Sequence, residues 1–132
     1  MERTIHNPWT WQEEYGFHQA NEVTNPERTL YCSGQTAVDA DGAAQHAGEM
    51  GAQVGLALDN LRTVLAAAGM TLADVMRLNI YVTDLDAFFE QFEVLAEQLG
   101  AGGCQHAGTL IEVSRLAMPG LMVELEATAV SG

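Results

Sequence analysis

Residues 50–82 read MGAQVGLALDNLRTVLAAAGMTLADVMRLNIYV, and the change of period inside this stretch decides the class of fold. Met50, Val54, Ala57 or Leu58, Leu61, Leu65 and Ala68 recur at three- and four-residue intervals, which puts apolar side chains on one face of a helix. Gly69 stands where such a helix would end in a left-handed residue. Thr71 and Asp74 then introduce residues 75–82, a run of β-branched and aliphatic side chains that reads as a strand. A long amphipathic helix, starting near Gln45, feeds a buried strand.

Upstream, Glu22-Val23 and residues 29–33 are β-prone and separated by Asn25-Pro26-Glu27-Arg28, whose Asn and Pro mark a turn. With a second turn at residues 39–42 they predict an antiparallel hairpin. The first 18 residues read as an irregular arm anchored by Trp9 and Trp11. Downstream, Thr83 and Asp86 resemble a capping pair for a second helix with Phe88, Phe92, Leu95 and Leu99 on one face, closing at the glycine-rich residues 100–103. Residues 109–113 and 121–130 read as two further strands joined through Pro119-Gly120. In the last strand Val123 and Leu125 face one way while Glu124 and Glu126 face the other. The order β-β-α-β-α-β-β predicts one α+β domain over residues 1–132, a mixed sheet with two helices on one face. Its other face would need cover, which oligomerisation usually supplies to a small domain.

The chain has 132 residues, 18 acidic and five basic, for a net charge of −13. All five basic residues are arginines, which excludes chemistry that needs a Schiff-base, pyridoxal or phosphate-loop lysine. Such acidity repels polyanions, so nucleic acid is not an expected partner. No apolar run approaches the roughly 20 residues of a membrane-spanning helix, and the N-terminus lacks the pattern of a signal peptide. A cytoplasmic location is the default expectation, and Cys32 and Cys104, outside any paired-cysteine motif, suit it as free thiols.

Cys32-Ser33-Gly34-Gln35, Leu58-Asp59-Asn60-Leu61, Ala67-Ala68-Gly69, Asp74-Val75, Val113-Ser114-Arg115-Leu116 and Val123-Glu124-Leu125-Glu126-Ala127 follow one another in an order that resembles the RidA (YjgF/UK114) family. The resemblance spans roughly residues 19–130. It implies a chorismate-mutase-like fold and a homotrimer around a barrel-like core, with clefts between neighbouring subunits. There the family hydrolyses reactive imines and enamines without metal or cofactor. It also implies an arginine, in a Pro-Ala-Arg-Ser segment, that grips the substrate carboxylate through its planar fork. This chain has His106-Ala107-Gly108-Thr109 in that segment, so Gly108 stands at the arginine position. Phe17 and Phe92 likewise stand where the family often has a tyrosine and an asparagine. All three departures remove polar groups, and a carboxylate held in the family's way is not expected.

The resemblance makes Glu124 the leading acid–base candidate, to position a water or protonate a departing nitrogen. Binary patterning alone would also put a surface glutamate there. His106 has two readings, a proton-transfer partner for Glu124 or an exposed loop histidine. Ser33, Gly34 and Gln35 are substrate-binding candidates at a strand end, and Gly34 stands where the family's backbone approaches its ligand. Phe17, Phe92, Cys104, Gly108 and Thr109 complete the candidate cleft. Cys104 reads either as a nucleophile or as a small buried side chain. Cys104, His106, Cys32 and His46 fit no standard ligand spacing, so no metal is expected, and the resemblance implies no cofactor. Asp59 and Asn60 read as network residues. Two functions remain open: a cofactor-free hydrolase of an activated C–N compound, or a non-catalytic trimeric module binding a small molecule or a protein.

Overall fold

The computed structural model describes all 132 residues, and helix gives way to strand where the sequence period changes. The elements are β1 (Glu2–His6), β2 (Ala20–Thr24), β3 (Arg28–Tyr31), β4 (Gln35–Thr36), α1 (Met50–Ala67), β5 (Val75–Val82), α2 (Leu85–Phe89), α3 (Phe92–Ala101), β6 (Leu110–Glu112) and β7 (Val123–Ser131), with 3-10 turns at Glu13–Tyr15 and Leu72–Asp74. This is a mixed α+β arrangement with three helices where two were expected.

α1 buries Met50, Val54, Ala57, Leu58, Leu61 and Leu65 along one face. It ends in a Schellman motif: Gly69 has φ 70°, Met70 N–H donates to the Leu65 carbonyl and Gly69 N–H to that of Ala66. It starts five residues later than expected, because His46 (φ 57°) and Gly48 (φ 79°) hold left-handed backbone that a helix excludes. The carbonyls stranded there are used. Buried Gln53 donates to those of Gln45, His46 and Gly120 and accepts from Met122 N–H at 2.7 Å. Asn60, on the same helix, donates to the carbonyls of Thr36 and Val38 and so ties β4 down.

The five-stranded sheet runs β3-β7-β5-β6, with β4 also paired to β7. β7 is antiparallel to β3, β4 and β5, whereas β5 and β6 are parallel. Val123, Leu125, Ala127 and Ala129 of β7, with Leu78, Ile80 and Val82 of β5, are buried in the core that α1 shares. The alternate residues, Glu124, Glu126 and Thr128 with Arg77, Asn79 and Tyr81, form the opposite face. That face is polar and aromatic rather than apolar.

Three expectations change. The arm is not irregular throughout, since β1 pairs antiparallel with β2. Consequently β2 and β3 make no hairpin; Asn25 (φ 52°) and Pro26 turn the chain from the two-stranded ribbon into the larger sheet. Trp9 and Trp11 remain exposed, and polar contacts hold the arm: Gln19 N–H donates to Asn7 Oδ1, and Arg3 with Asn21 grips the Gln105 carbonyl. Finally, the second helix is broken. Asp84, rather than the Thr83–Asp86 pair, caps α2 by accepting from Ala87 N–H, and a bend at Glu90 and Gln91 starts α3. At this bend the end of the Gln91 side chain packs into the space beside Gly51 of α1. No helix is long and apolar enough to cross a membrane.

Candidate functional site

A cavity of about 370 Å³ lies on the helix side of the sheet, at its β6 edge. Leu78 and Ile80 of β5 form its floor, and Phe92, Leu95, Ala96 and Leu99 of α3 form one wall. The opposite wall is His106, Gly108, Thr109 and Leu110. The 3-10 turn Glu13–Tyr15 ends at Gly16 in left-handed backbone (φ 80°), which brings Tyr15 and Phe17 to the mouth. There Trp11 packs edge-on against Phe17 at 5.8 Å, and Phe89 stands 56% exposed. No arginine and no carboxylate lines this cavity.

His106 is the polar group set deepest in the wall, only 8% exposed. Burial, reinforced by nearby His18, lowers its pKa to about 4, so near neutral pH the ring carries no charge. Its Nδ1 lies 3.6 Å from Cys104 Sγ, and Nε2 has no partner within the chain. Burial pushes the Cys104 thiol up to about 11, against opposing effects of Arg3 and a backbone hydrogen bond from His106. A protonated thiol donates to Nδ1, which leaves the ring hydrogen on Nε2. Cys104 is therefore a neutral prop behind the imidazole and lacks the thiolate a nucleophile needs. His106 is neither the exposed loop residue nor a group titrating near neutrality.

Glu124 lies elsewhere. On β7 it pairs with Tyr81 and Thr36, on the face opposite Leu78 and Ile80. Its carboxyl group lies against Gly34, where an added Cβ would stand 2.5 Å from Glu124 Cδ; Gly34 thus permits a close approach, with Ser33 and Gln35 on either side. Glu124 makes no side-chain hydrogen bond within the chain. Its neighbour on the same face, Glu126, accepts from Asn79 Nδ2 at 3.0 Å and Tyr81 Oη at 2.9 Å, and those two donors hold its carboxyl below the usual range.

The sequence candidates therefore fall into two groups. Phe17, Phe92, His106, Gly108 and Thr109 gather around the cavity with Cys104 behind them, while Glu124, Ser33, Gly34 and Gln35 gather on the other face. One copy of the chain does not bring His106 and Glu124 together. Tyr15, Phe89, Leu78, Ile80, Leu95, Leu99 and Leu110 were not singled out as lining residues, because in sequence they are indistinguishable from core or surface apolar residues. No group of three or more His, Cys, Asp or Glu side chains is arranged to hold a metal.

Gly108 has a local reason to be glycine. Thr109 N–H leaves the ladder to donate to Asn79 Oδ1, β6 pairing starts at Leu110, and any Cβ at position 108 would overlap the Leu78 carbonyl.

Residues 15–131 match the Endoribonuclease L-PSP family model. A RutC family protein of Pyrococcus horikoshii is 33% identical over 100 residues, covering 76% of this chain and 77% of its own length. Protein DfrA of Myxococcus xanthus is 34% identical over 115 residues, covering 87% and 85%. Among solved structures, the Rid-family protein YyfB of Yersinia pestis superimposes with a TM-score of 0.83 at 37% identity, covering 98% of this chain and 99% of that one.

Two measurements test this geometry. Gly108→Ala should destabilise the fold by about 1–3 kcal/mol, since the added carbon meets backbone that has to move. An unchanged urea midpoint would mean that the strand start is not as tight as described. Second, His106 ordinarily titrates at 6.5 and here at about 4, so as pH falls through that window the unfolded chain binds a proton that the folded chain refuses. Stability should fall as pH drops from about 6.5 and level off below about 4, by at most about 3 kcal/mol from this group. His106→Gln should lose that part of the slope in denaturation curves taken across the window; parallel curves would show that the imidazole is solvated.

Proposed function

As the chain belongs to the RidA (YjgF/UK114) family, we propose that it is a cofactor-free hydrolase of an imine or enamine that carries no carboxylate, working in a cleft between subunits of a homotrimer. The observation that carries the enzymatic part is Glu124. Glu126 is saturated by two donors, whereas the Glu124 carboxylate rests against bare backbone with nothing in its own chain to occupy it. That leaves it free to take a proton from water as the oxygen adds to the carbon of a protonated C=N bond. Glu124 passes that proton to the carbinolamine nitrogen and, as the C–N bond breaks, takes up the hydroxyl proton and passes it to water, giving a carbonyl compound and ammonia or an amine.

The trimer is supported by the division of the candidate residues between two faces of one sheet. A neighbouring copy that sets its β6 edge against the Glu124 face would bring the halves together, and Tyr31, 80% exposed beside Thr128, stands on that face. Loss of the carboxylate follows from the cavity wall, where Gly108 replaces a guanidinium and the histidine is uncharged. Polynucleotide substrates fit poorly: of five arginines, Arg3, Arg28 and Arg62 are engaged within the chain. The two buried free thiols suit a reducing compartment, and we place the protein in the cytoplasm, away from membranes. A second reading, a trimeric binding module without chemistry, is favoured by the apolar lining alone.

Glu124→Gln separates the two readings. It keeps shape while removing the proton carrier, so ammonia release from imines generated in situ by an amine oxidase should fall about 100-fold or more. Folding should shift by under about 0.5 kcal/mol. Full turnover in the variant would remove Glu124 from the chemistry, and absence of turnover in both proteins would leave the binding module. Light scattering should return about three times the chain mass, and a monomer would overturn the cleft.

A further inference from the structure

Three features of the cavity bear on what enters it: its volume, the absence of any formal charge in its wall, and one ring nitrogen of the mostly buried His106 that no group of the protein engages. A volume of about 370 Å³ is in the range of small-molecule sites. It exceeds what core packing leaves, since voids larger than a water molecule are few in a close-packed interior. Phe17, Phe92, Ile80 and Leu110 offer flat and aliphatic contact, and desolvating an anion against them without a cation would be costly. Beside the hydroxyls of Tyr15 and Thr109, His106 Nε2 is the polar atom of the most buried polar residue in this lining. Its imidazole is held in place from behind by Cys104, and Nε2–H meets no acceptor of the protein. A ligand acceptor would take that hydrogen bond out of bulk water, and there it is stronger than at an exposed surface.

We propose that the cavity binds the uncharged, ring-bearing part of a ligand and that His106 Nε2–H donates to a neutral acceptor on it, a carbonyl oxygen or an imine nitrogen. His106 is here a specificity-determining residue. It favours a carbonyl or imine over a carboxylate of the same shape, because a neutral imidazole offers one hydrogen bond and no compensating charge. Phe17 and Phe92 select for the flat apolar body. This names the substrate class of the site proposed above and rests on that reading only for its link to turnover. Binding itself can be measured without any reaction.

The test uses the intact protein and two probes of one shape: 2-acetylnaphthalene, a neutral ketone, and 2-naphthoate, its anionic counterpart. By fluorescence titration at pH 7.5 the ketone should bind at least about tenfold more tightly, the preference expected when one member of a pair must desolvate a charge. His106→Leu keeps the cavity apolar and removes the donor, and should weaken the ketone about five- to tenfold while leaving naphthoate weak. Phe17→Asp puts a charge at the mouth and should weaken the ketone further; it supplies the test should the core variant fail to fold. Equal or tighter binding of naphthoate, or ketone binding indifferent to both substitutions, would overturn the proposal. So would failure of the ketone to bind, which would mean that the cavity is filled in the assembled protein. Affinity is read here without turnover, so this outcome does not depend on the role of Glu124. A protein that binds the ketone through His106 yet hydrolyses nothing thus disproves the catalytic reading and not this one.

Discussion

The position of β7 constrains everything else. It is hydrogen-bonded along both edges, to β3 and β4 on one side and β5 on the other, so its side chains have only the two faces of the sheet to go to. Period-two geometry then divides them: Val123, Leu125, Ala127 and Ala129 go beneath the helices, and Glu124, Glu126 and Thr128 go to the far face. A one-residue slip would bury two carboxylates and expose the core, at a cost far beyond the marginal stability of a small domain. The register that builds the core is thus the register that sends Glu124 away from the cavity. A catalytic site that needs both has to be made by two copies.

Desolvation accounts for the character of the cavity. A guanidinium in such a wall is favourable only when an anion accompanies it, and a lone charge among phenylalanine and leucine side chains is unfavourable. This chain has neither the arginine nor a protonated histidine there, and its one wall imidazole is kept neutral by the same burial. Gly108, Phe17 and Phe92 therefore act in one direction. None of the three demands water or a counterion, and together they leave a site suited to a neutral guest.

How much of this was legible in the sequence depends on where a period exists to be read. α1, β5 and β7 repeat apolar residues at 3.6 or 2.0 and were found, to within a few residues at their ends. β1 is Glu-Arg-Thr-Ile-His, which alternates in burial without alternating in hydrophobicity, and its pairing with β2 left no signal. The break between α2 and α3 carries no Gly or Pro to signal it, and at it Gln91 packs beside Gly51, a residue 40 positions away in sequence. The cavity residues were half legible. Phe17, Phe92, His106, Gly108 and Thr109 came from the family pattern, but Leu78, Ile80, Leu95 and Leu99 look like any core residue until the space beside them is known. His106 follows a glycine run, a context that suggests a solvated loop, and only the ribbon of β1 and β2 and the cavity wall together show why it is buried.

The glycine at position 108 ties the loss of the arginine to the backbone. Were the change a matter of side chain alone, an arginine there would restore a clamp. In this fold the residue is pressed against the Leu78 carbonyl, and Thr109 N–H turns to Asn79 Oδ1 instead of continuing the ladder. Asn79 in turn donates to Glu126, on the face that also bears Glu124. A side chain at 108 would push the strand off Leu78 and pull Thr109 from Asn79, the residue whose amide also holds Glu126. The cavity wall and the carboxylate face are therefore joined through Asn79, which accepts from Thr109 on one side and donates to Glu126 on the other.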